Sequence, residues 1–251
     1  MIFYFSATGN CKYVATRIAS ATNDITVSIT DCLKTNTFDF NLKHHENIGF
    51  VTPTYFWGLP TVVIDFLEQL KIKMNGKHYV YHIITYGTIN GQTHYMMSNY
   101  LKKICLSLDG KFIVKMVDTW TPIFNLTDKD ENQKKLANAE REIDTIIEYV
   151  NDKIKGDYNN RKGHFANLVY AIYKYGRKTK KFTVGNSCIE CGLCEKQCPV
   201  LAIKTDNGKP KWIKKQCTLC LGCLHRCPKF SIQYGNKTKN HGQYVNPNVK
   251  L

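Results

Sequence analysis

A chain of 251 residues that is 43% hydrophobic is long enough for one substantial core, or for a medium α/β domain with a small module appended. Its formal charge of +15 is lopsided: residues 1–150 balance 15 Lys+Arg against 15 Asp+Glu, while residues 151–251 carry 20 against 5. No run of 18 apolar residues exists, and the opening MIFYF lacks the basic flank and cleavage site of a signal peptide, so the sequence reads as having no membrane segment and as cytoplasmic.

Along the first 150 residues, short apolar runs alternate with helical patterns, the rhythm of βαβ units and a parallel sheet. Strands are expected at residues 1–5, 25–29, 48–52, 79–85 and 112–119. Val14, Ala15, Ile18 and Ala19 form one apolar helix stripe, and Val62, Val63, Phe66 and Leu70 form another. Five such strands suit an α/β, doubly wound sheet of flavodoxin type, order 2-1-3-4-5, whose ligand lies beyond the strand C-termini at the switch point. Residues 128–154 form a long amphipathic segment in which Leu136, Ile143, Ile147 and Val150 face a core and close the domain.

A Gly- and Asn-rich stretch, KGDYNNRKGH, then reads as a linker, followed by an aromatic and basic segment helical to about Tyr175. The expected division is residues 1–155 for the α/β domain, 156–182 for the basic linker and helix, 183–235 for a small α+β module, and 236–251 for a polar tail.

The small module is an internal duplication. CIECGLCEKQCP is matched 29 residues later by CTLCLGCLHRCP, and LAI after the first is matched by FSI after the second. Each run reads C-x2-C-x2-C-x3-C-P, the ligand run of bacterial ferredoxins with two [4Fe–4S] clusters, in which the fourth cysteine reaches the other cluster. Cys188, Cys191, Cys194 and Cys227 are thus expected on one cluster (cluster I), and Cys217, Cys220, Cys223 and Cys198 on the second (cluster II). A zinc site or a disulfide scaffold fits less well, because zinc sites pair two CxxC knuckles and eight clustered cysteines are not distributed as bridges. Ile189, Leu193, Val200, Ile203, Leu219 and Ile232 supply an apolar shell, and Cys32 and Cys105 read as plain core residues.

At the other end of the chain, S-A-T-G-N leads from the first strand directly into a helix, so backbone N–H groups and the positive helix end converge on a point suited to a phosphate. Ser6, Thr8 and Asn10 add side-chain donors, Gly9 permits close approach, and Cys11 stands where a hydroxyl is expected. Two further loops end on the same sheet edge. Residues 52–60 bring Pro53, Thr54, Tyr55, Phe56, Trp57 and Gly58, with aromatics placed to stack on an isoalloxazine. Residues 85–92 bring Tyr86, Gly87, Thr88, Asn90 and Gly91 for its polar edge.

With S-x-T-G-N at the start and the cysteine runs at the end, the chain resembles the flavodoxin–ferredoxin fusion proteins, sometimes called ferrodoxins, of anaerobic bacteria and archaea. The likeness extends to GKPKW between the runs and to the tail YGNKTKN…YVNP. It implies FMN, two [4Fe–4S] clusters and electron transfer. Flavodoxins usually carry Ser or Thr at the position of Cys11; a thiol is the weaker donor and softens one phosphate contact.

A flavin takes one or two electrons and each cluster one, so an electron relay is the leading reading, with an enzyme reducing its own small substrate at the flavin as the alternative. No Ser/His/Asp set, HExxH, Walker loop or G-x-G-x-x-G fingerprint is present. The basic C-terminal half points to an acidic redox partner, with Lys174, Arg177, Lys178, Lys180 and Lys181 as the steering charges, and nucleic-acid binding is not expected. His44 and His45 read as solvated, and His225, between cluster cysteines, as a hydrogen bond to a cluster, a partner contact or an exposed side chain.

Overall fold

The computed structural model describes residues 1–44, 46–159 and 165–251; His45 and residues 160–164, the second half of the stretch KGDYNNRKGH, lie outside the described residues. Six strands, β1 (Ile2–Tyr4), β2 (Thr26–Ser28), β3 (Ile48–Pro53), β4 (Val80–Tyr86), β5 (Gly110–Lys115) and β6 (Gly156–Asp157), pair in parallel in the order β2-β1-β3-β4-β5-β6. The first five have the expected order, and the sixth is a two-residue edge strand at the start of the expected linker. Because β1 pairs with both β2 and β3, the chain leaves its ends in opposite directions there and opens a crevice beyond the strand C-termini.

Five helices cover this sheet: α1 (Asn10–Thr22), α2 (Ile29–Thr35), α3 (Thr61–Leu67), α4 (Thr93–Lys102) and α5 (Lys129–Asn151). Successive strand residues point to opposite faces. Ile2 and Val51 meet Val14, Ile18, Ala139 and Ile143 of α1 and α5, whereas Phe3 and Phe50 meet Val62, Phe66, Met97 and Leu101 of α3 and α4. Both faces are dry, which is why the central strands read as unbroken apolar runs. Inside this layer His82 and His94 are pushed down in pKa by burial and bond to each other at 3.0 Å, and His82 also bonds the Thr52 hydroxyl at 2.8 Å.

Three expectations change at element boundaries. Ile29 opens α2 rather than ending β2, because the Ser28 hydroxyl accepts the Asp31 N–H at 3.2 Å and caps a helix. β5 stops at Lys115, and residues 116–124 turn across the sheet edge instead of extending the strand. Cys105 is exposed, at φ 59° in the turn after α4, whereas Cys32 is buried as expected.

Beyond α6 (Ala166–Gly176), two antiparallel pairs, β7 (Phe182–Val184) with β10 (Ile232–Tyr234) and β8 (Ile203–Asp206) with β9 (Lys209–Trp212), frame α7 (Leu193–Lys196) and α8 (Gly222–His225). The sequence duplication is also a backbone duplication: Glu190 and Leu219, Gly192 and Leu221, and Leu201 and Phe230 hold positive φ at matched positions.

α6 ties the two regions together. Its Tyr173 hydroxyl donates to Thr218 O at 3.0 Å and accepts the Thr61 N–H at 3.3 Å, and its Tyr170 hydroxyl donates to Leu59 O at 2.7 Å. After α9 (Thr238–His241) the tail runs back over the α/β sheet edge. Among the described residues no helix is long and apolar enough to cross a membrane.

Candidate cofactor sites

A cavity of about 260 Å³ lies beyond the C-terminal ends of β1, β3, β4 and β5, close to the roughly 300 Å³ at which small-molecule sites begin. The first loop contributes Ser6, Thr8, Asn10 and Cys11; the second contributes Pro53, Thr54, Tyr55, Phe56 and Trp57; the third contributes Tyr86, Gly87 and Thr88. Of the residues expected from sequence, Gly9, Gly58, Asn90 and Gly91 do not line it, and each shapes a loop instead.

Gly9 holds φ 99°, and a side chain there would begin 2.9 Å from Asn246 Cβ, so the tail packs directly on the loop. The Tyr13 N–H is the first of α1 to reach a carbonyl, Gly9 O at 2.8 Å, which leaves the N–H groups of residues 10–12 pointing out of the helix start. These donors, with the helix dipole behind them, fit a phosphate. The Asn10 side chain is committed elsewhere. Its Nδ2 donates to Val117 O at 3.3 Å, and its Oδ1 accepts from the Tyr244 hydroxyl at 2.9 Å and from Asn246 Nδ2 at 3.1 Å. Cys11 bonds to the Thr85 hydroxyl at 3.0 Å, and burial pushes its thiol up to about 12, so no thiolate opposes an anion here.

The aromatic loop is a two-residue turn closed by Tyr55 N–H to Gly58 O at 2.8 Å and Gly58 N–H to Tyr55 O at 3.1 Å. Phe56 and Trp57 both hold positive φ, at 48° and 66°, in positions that usually take Asn-Gly. Strain of about 1–2 kcal/mol per residue is held by packing: Phe56 stacks on Tyr173 with centroids 5.2 Å apart and meets Trp120 edge-on at 5.0 Å. Gly58 makes room for Tyr170, and Gly91 for the Trp57 backbone. Asn90 is buried with both side-chain amide atoms unpartnered among the described residues, while its carbonyl accepts from Thr54 and Thr93.

Sequence reading missed a fourth wall. Met116, Val117, Asp118 and Trp120 line the cavity because the chain leaves β5 early; the signal was DTWTP following an apolar run on the same sheet edge. A side chain at Gly87 would overlap Asp118, so these two loops touch. Burial raises the Asp118 carboxyl in pKa, partly offset by the Trp120 N–H at 3.1 Å and by Thr88.

The eight cysteines fall into two small cavities in the expected partition. One is lined by Cys188, Cys191, Cys194 and Cys227, the other by Cys198, Cys217, Cys220 and Cys223. Each cavity gathers four cysteines, three from one C-x2-C-x2-C run and the fourth from the other repeat. A cube, binding each thiolate at a separate corner, fits this arrangement. Backbone N–H groups aim at sulfur from Ala202 to Cys198 at 3.3 Å, Leu219 to Cys217 at 3.4 Å and Ser231 to Cys227 at 3.4 Å. Of the expected apolar shell, Ile203, Leu219 and Ile232 are buried, but Ile189 and Leu193 are exposed.

Cys220, with Leu219 and Leu221, lines the α/β cavity as well as its own. His225 is buried and touches neither cluster cavity: it bonds Thr119 O through Nε2 at 2.8 Å and accepts the Tyr244 N–H at Nδ1, 3.2 Å, which makes it a strut between the regions. Arg226 lies partly buried beside Gly222; burial lowers its pKa, and the nearby Cys220 and Cys223 offset only part of that.

A family model of the flavodoxin domain matches residues 1–145. The chain belongs to the flavodoxin domain family. A model of the 4Fe-4S dicluster domain matches residues 187–232, so FMN in the flavodoxin domain and two [4Fe–4S] clusters in the dicluster domain are its cofactors. The chain is 28% identical over 102 residues to the ferredoxin-type protein FwdE of Methanocaldococcus jannaschii, covering 41% of this chain and 65% of that protein. It is 37% identical over 49 residues to a ferredoxin-like protein in the nif region of Trichormus variabilis, covering 19% and 42%. It thus spans less than two thirds of the length of these curated relatives. Among solved structures, the FMN-bound flavodoxin of Fusobacterium nucleatum is similar over 61% of this chain and 97% of its own at 18% identity and TM-score 0.33. A flavone reductase is similar over 92% and 85% at 11% identity and TM-score 0.36.

Proposed function

We propose that this flavodoxin–dicluster chain relays electrons between FMN, its two clusters and external redox proteins, in the cytoplasm of an anaerobe. The observation that carries this reading is Cys220, which belongs at once to the lining of the second cluster cavity and to that of the flavin cavity. FMN exchanges one or two electrons and each cluster one, so their union converts between pair and single-electron traffic.

The chain's own residues have three tasks in this reading. The N–H groups at the start of α1 hold the phosphate, Phe56, Trp57 and Trp120 offer flat apolar walls to the ring, and Gly87 and Thr88 face its polar edge. Leu219 and Leu221, both buried, exclude water between the two cavities. The N–H donors to sulfur and the Arg226 cation favour the more negative, reduced state of the second cluster.

Anaerobic reconstitution with iron and flavin quantitation tests the inventory, with about eight irons and one FMN per chain expected. Iron-signal loss and flavin bleaching that run in step after sub-stoichiometric reduction support a relay; cofactors that titrate without exchanging electrons overturn it. The apolar lip of the cavity beyond Trp120, formed by Ile123, Phe124 and Val169, favours a second reading as a flavin-dependent reductase of a small apolar substrate. Anaerobic turnover of quinones or nitro compounds separates the two.

A further inference from the structure

The five steering cations expected from sequence do not act as one patch. Lys178 and Lys180 lie on a broad open groove that runs along β7 and β9 and also takes in Lys211, Lys214 and Lys215, while Arg177 turns inward to Cys217 O at 3.0 Å. No acidic residue lines the groove. Lys211 is paired with Asp206, and Lys214 donates to Val200 O at 2.6 Å; among the described residues Lys178, Lys180 and Lys215 have no acidic side chain within ion-pair reach.

The groove floor is apolar, built from Phe182, Val184, Pro210, Trp212 and Ile213. Phe182 and Trp212 lie nearly parallel, 5° between planes and 4.6 Å between centroids. The same two rings line the cavity of Cys198, Cys217, Cys220 and Cys223. A molecule seated in the groove is therefore one aromatic layer from the second cluster site.

The first cluster site is more open, with Cys191 exposed, and would be the default entry for an electron. Its surroundings are mixed in sign: beside Lys229 in the lining and Lys204 paired with Glu195, this face holds two carboxylates, Glu190 in the cavity wall and Glu195 on α7 beside Cys194. These are two of only five acidic residues in the last 101. Two oxidised clusters on eight thiolates subtract four charges, leaving that half at about +11, and within it the β7–β9 groove is lined by Lys178, Lys180, Lys211, Lys214 and Lys215 with no carboxylate.

From these observations we infer that an acidic redox protein, presenting carboxylates around an apolar centre, docks in the β7–β9 groove and exchanges electrons with the second cluster across Phe182 and Trp212. The inference rests on the relay reading and adds the entry point. Each productive encounter moves one electron: the partner is oxidised by one, the chain is reduced by one, and no bond or proton is transferred. Carboxylates meet Lys178, Lys180 and Lys215 at the rim while the floor supplies desolvated contact, the arrangement that steers fast, transient association.

The test uses the full holoprotein and, as probe, a chemically reduced acidic ferredoxin followed by stopped flow. In Lys178→Gln/Lys180→Gln/Lys215→Gln the second-order rate at low salt is expected to fall about tenfold, with a flatter ionic-strength slope. Lys196→Gln/Lys209→Gln/Lys229→Gln, exposed lysines towards the first cluster, is expected to lose less than about twofold. Carbodiimide cross-linking of the unmodified chain to the same ferredoxin should map to Lys178, Lys180 or Lys215, which keeps the test independent of any variant's folding. Equal rates for the two triple variants, cross-links confined to the first cluster face, or an RNA oligonucleotide that binds the groove at physiological salt in preference to the ferredoxin would each overturn the inference. Failure of the relay itself has a different signature: clusters that accept electrons from the probe but never pass them to FMN.

Discussion

At matched positions of the two cysteine repeats, Gly192 holds φ 69° with nothing within 4 Å of where a side chain would begin, while Leu221 holds φ 53° with its side chain buried against the flavin cavity. The first repeat meets the backbone demand with the residue that carries no steric cost. The second accepts about 1–2 kcal/mol of strain to keep a leucine between two cofactor sites. The same contrast runs through both loops: Cys191 is exposed and Ile189 and Leu193 face solvent, whereas Leu219 and Leu221 are buried against the flavodoxin domain. Two copies of one motif have become an outer and an inner site through what packs on them.

If the inner site and the flavin cavity form one unit, the tail is its clasp, and removing it should have the largest effect. Ending the chain after Gln243, which keeps that residue's bonds to Leu224 O and Cys227 O, deletes the hydrogen bonds from Tyr244 and Asn246 to Asn10 and from the Asn246 N–H to Thr8 O. At about 1 kcal/mol each, FMN affinity falls by up to about 100-fold, read by flavin fluorescence titration, with iron content unchanged. Equal affinity with and without the tail would separate the loop from the clasp.

Arg226→Gln should sharpen the difference between the repeats. Removing a cation beside Cys220 and Cys223 lowers the potential of the second cluster by on the order of 60 mV, the one-electron equivalent of a tenfold change, and leaves the first within error. Potentiometry followed by EPR resolves the two signals.

A smaller effect is expected from exchanging the matched residues. Leu221→Gly relieves backbone strain but opens the wall of the flavin cavity, so FMN dissociation speeds up about fivefold, a loss near 1 kcal/mol. Gly192→Leu imposes the strain with no packing return; stability towards urea drops by about 1 kcal/mol and FMN binding does not change. The smallest effect belongs to Cys11→Ser. A hydroxyl can keep the Thr85 bond and donate more strongly than a neutral thiol, and affinity measured by the same titration should equal or exceed the parent's.

Much of this was legible from local pattern. The loop S-A-T-G-N at the end of an apolar strand and the complete C-x2-C-x2-C-x3-C-P runs are chemistry written in contiguous residues, and the structure brings each loop to one cavity and each cysteine to its expected set. Misreadings arose where a residue's role depends on what arrives from far along the chain. Asn10 looked like a phosphate donor because its neighbours are, yet its amide is satisfied by residues 107, 234 and 236 positions away. His225, between cysteines, left a cluster contact, a partner contact and an exposed side chain open, yet it is buried and joins a flavodoxin loop to the tail.

Sequence alone therefore determined the alternation of strands and helices, the anion loop and the ligand spacing, because these are short-range constraints that each segment satisfies by itself, while the sheet order, the cofactor types and the crossed cysteine sets were what the resemblance to flavodoxins and two-cluster ferredoxins implied. Only the tertiary structure decided which cluster site touches the flavin cavity, that residues 116–124 supply its fourth wall, that the tail clasps the phosphate loop and that five lysines share one groove. Those are matters of which surfaces meet. Two repeats that share their cysteines and proline present the same ligand spacing to either side, and that spacing does not say which one faces the flavin; apolar burial places Leu219 and Leu221 of the second, rather than Ile189 and Leu193 of the first, against the flavodoxin domain.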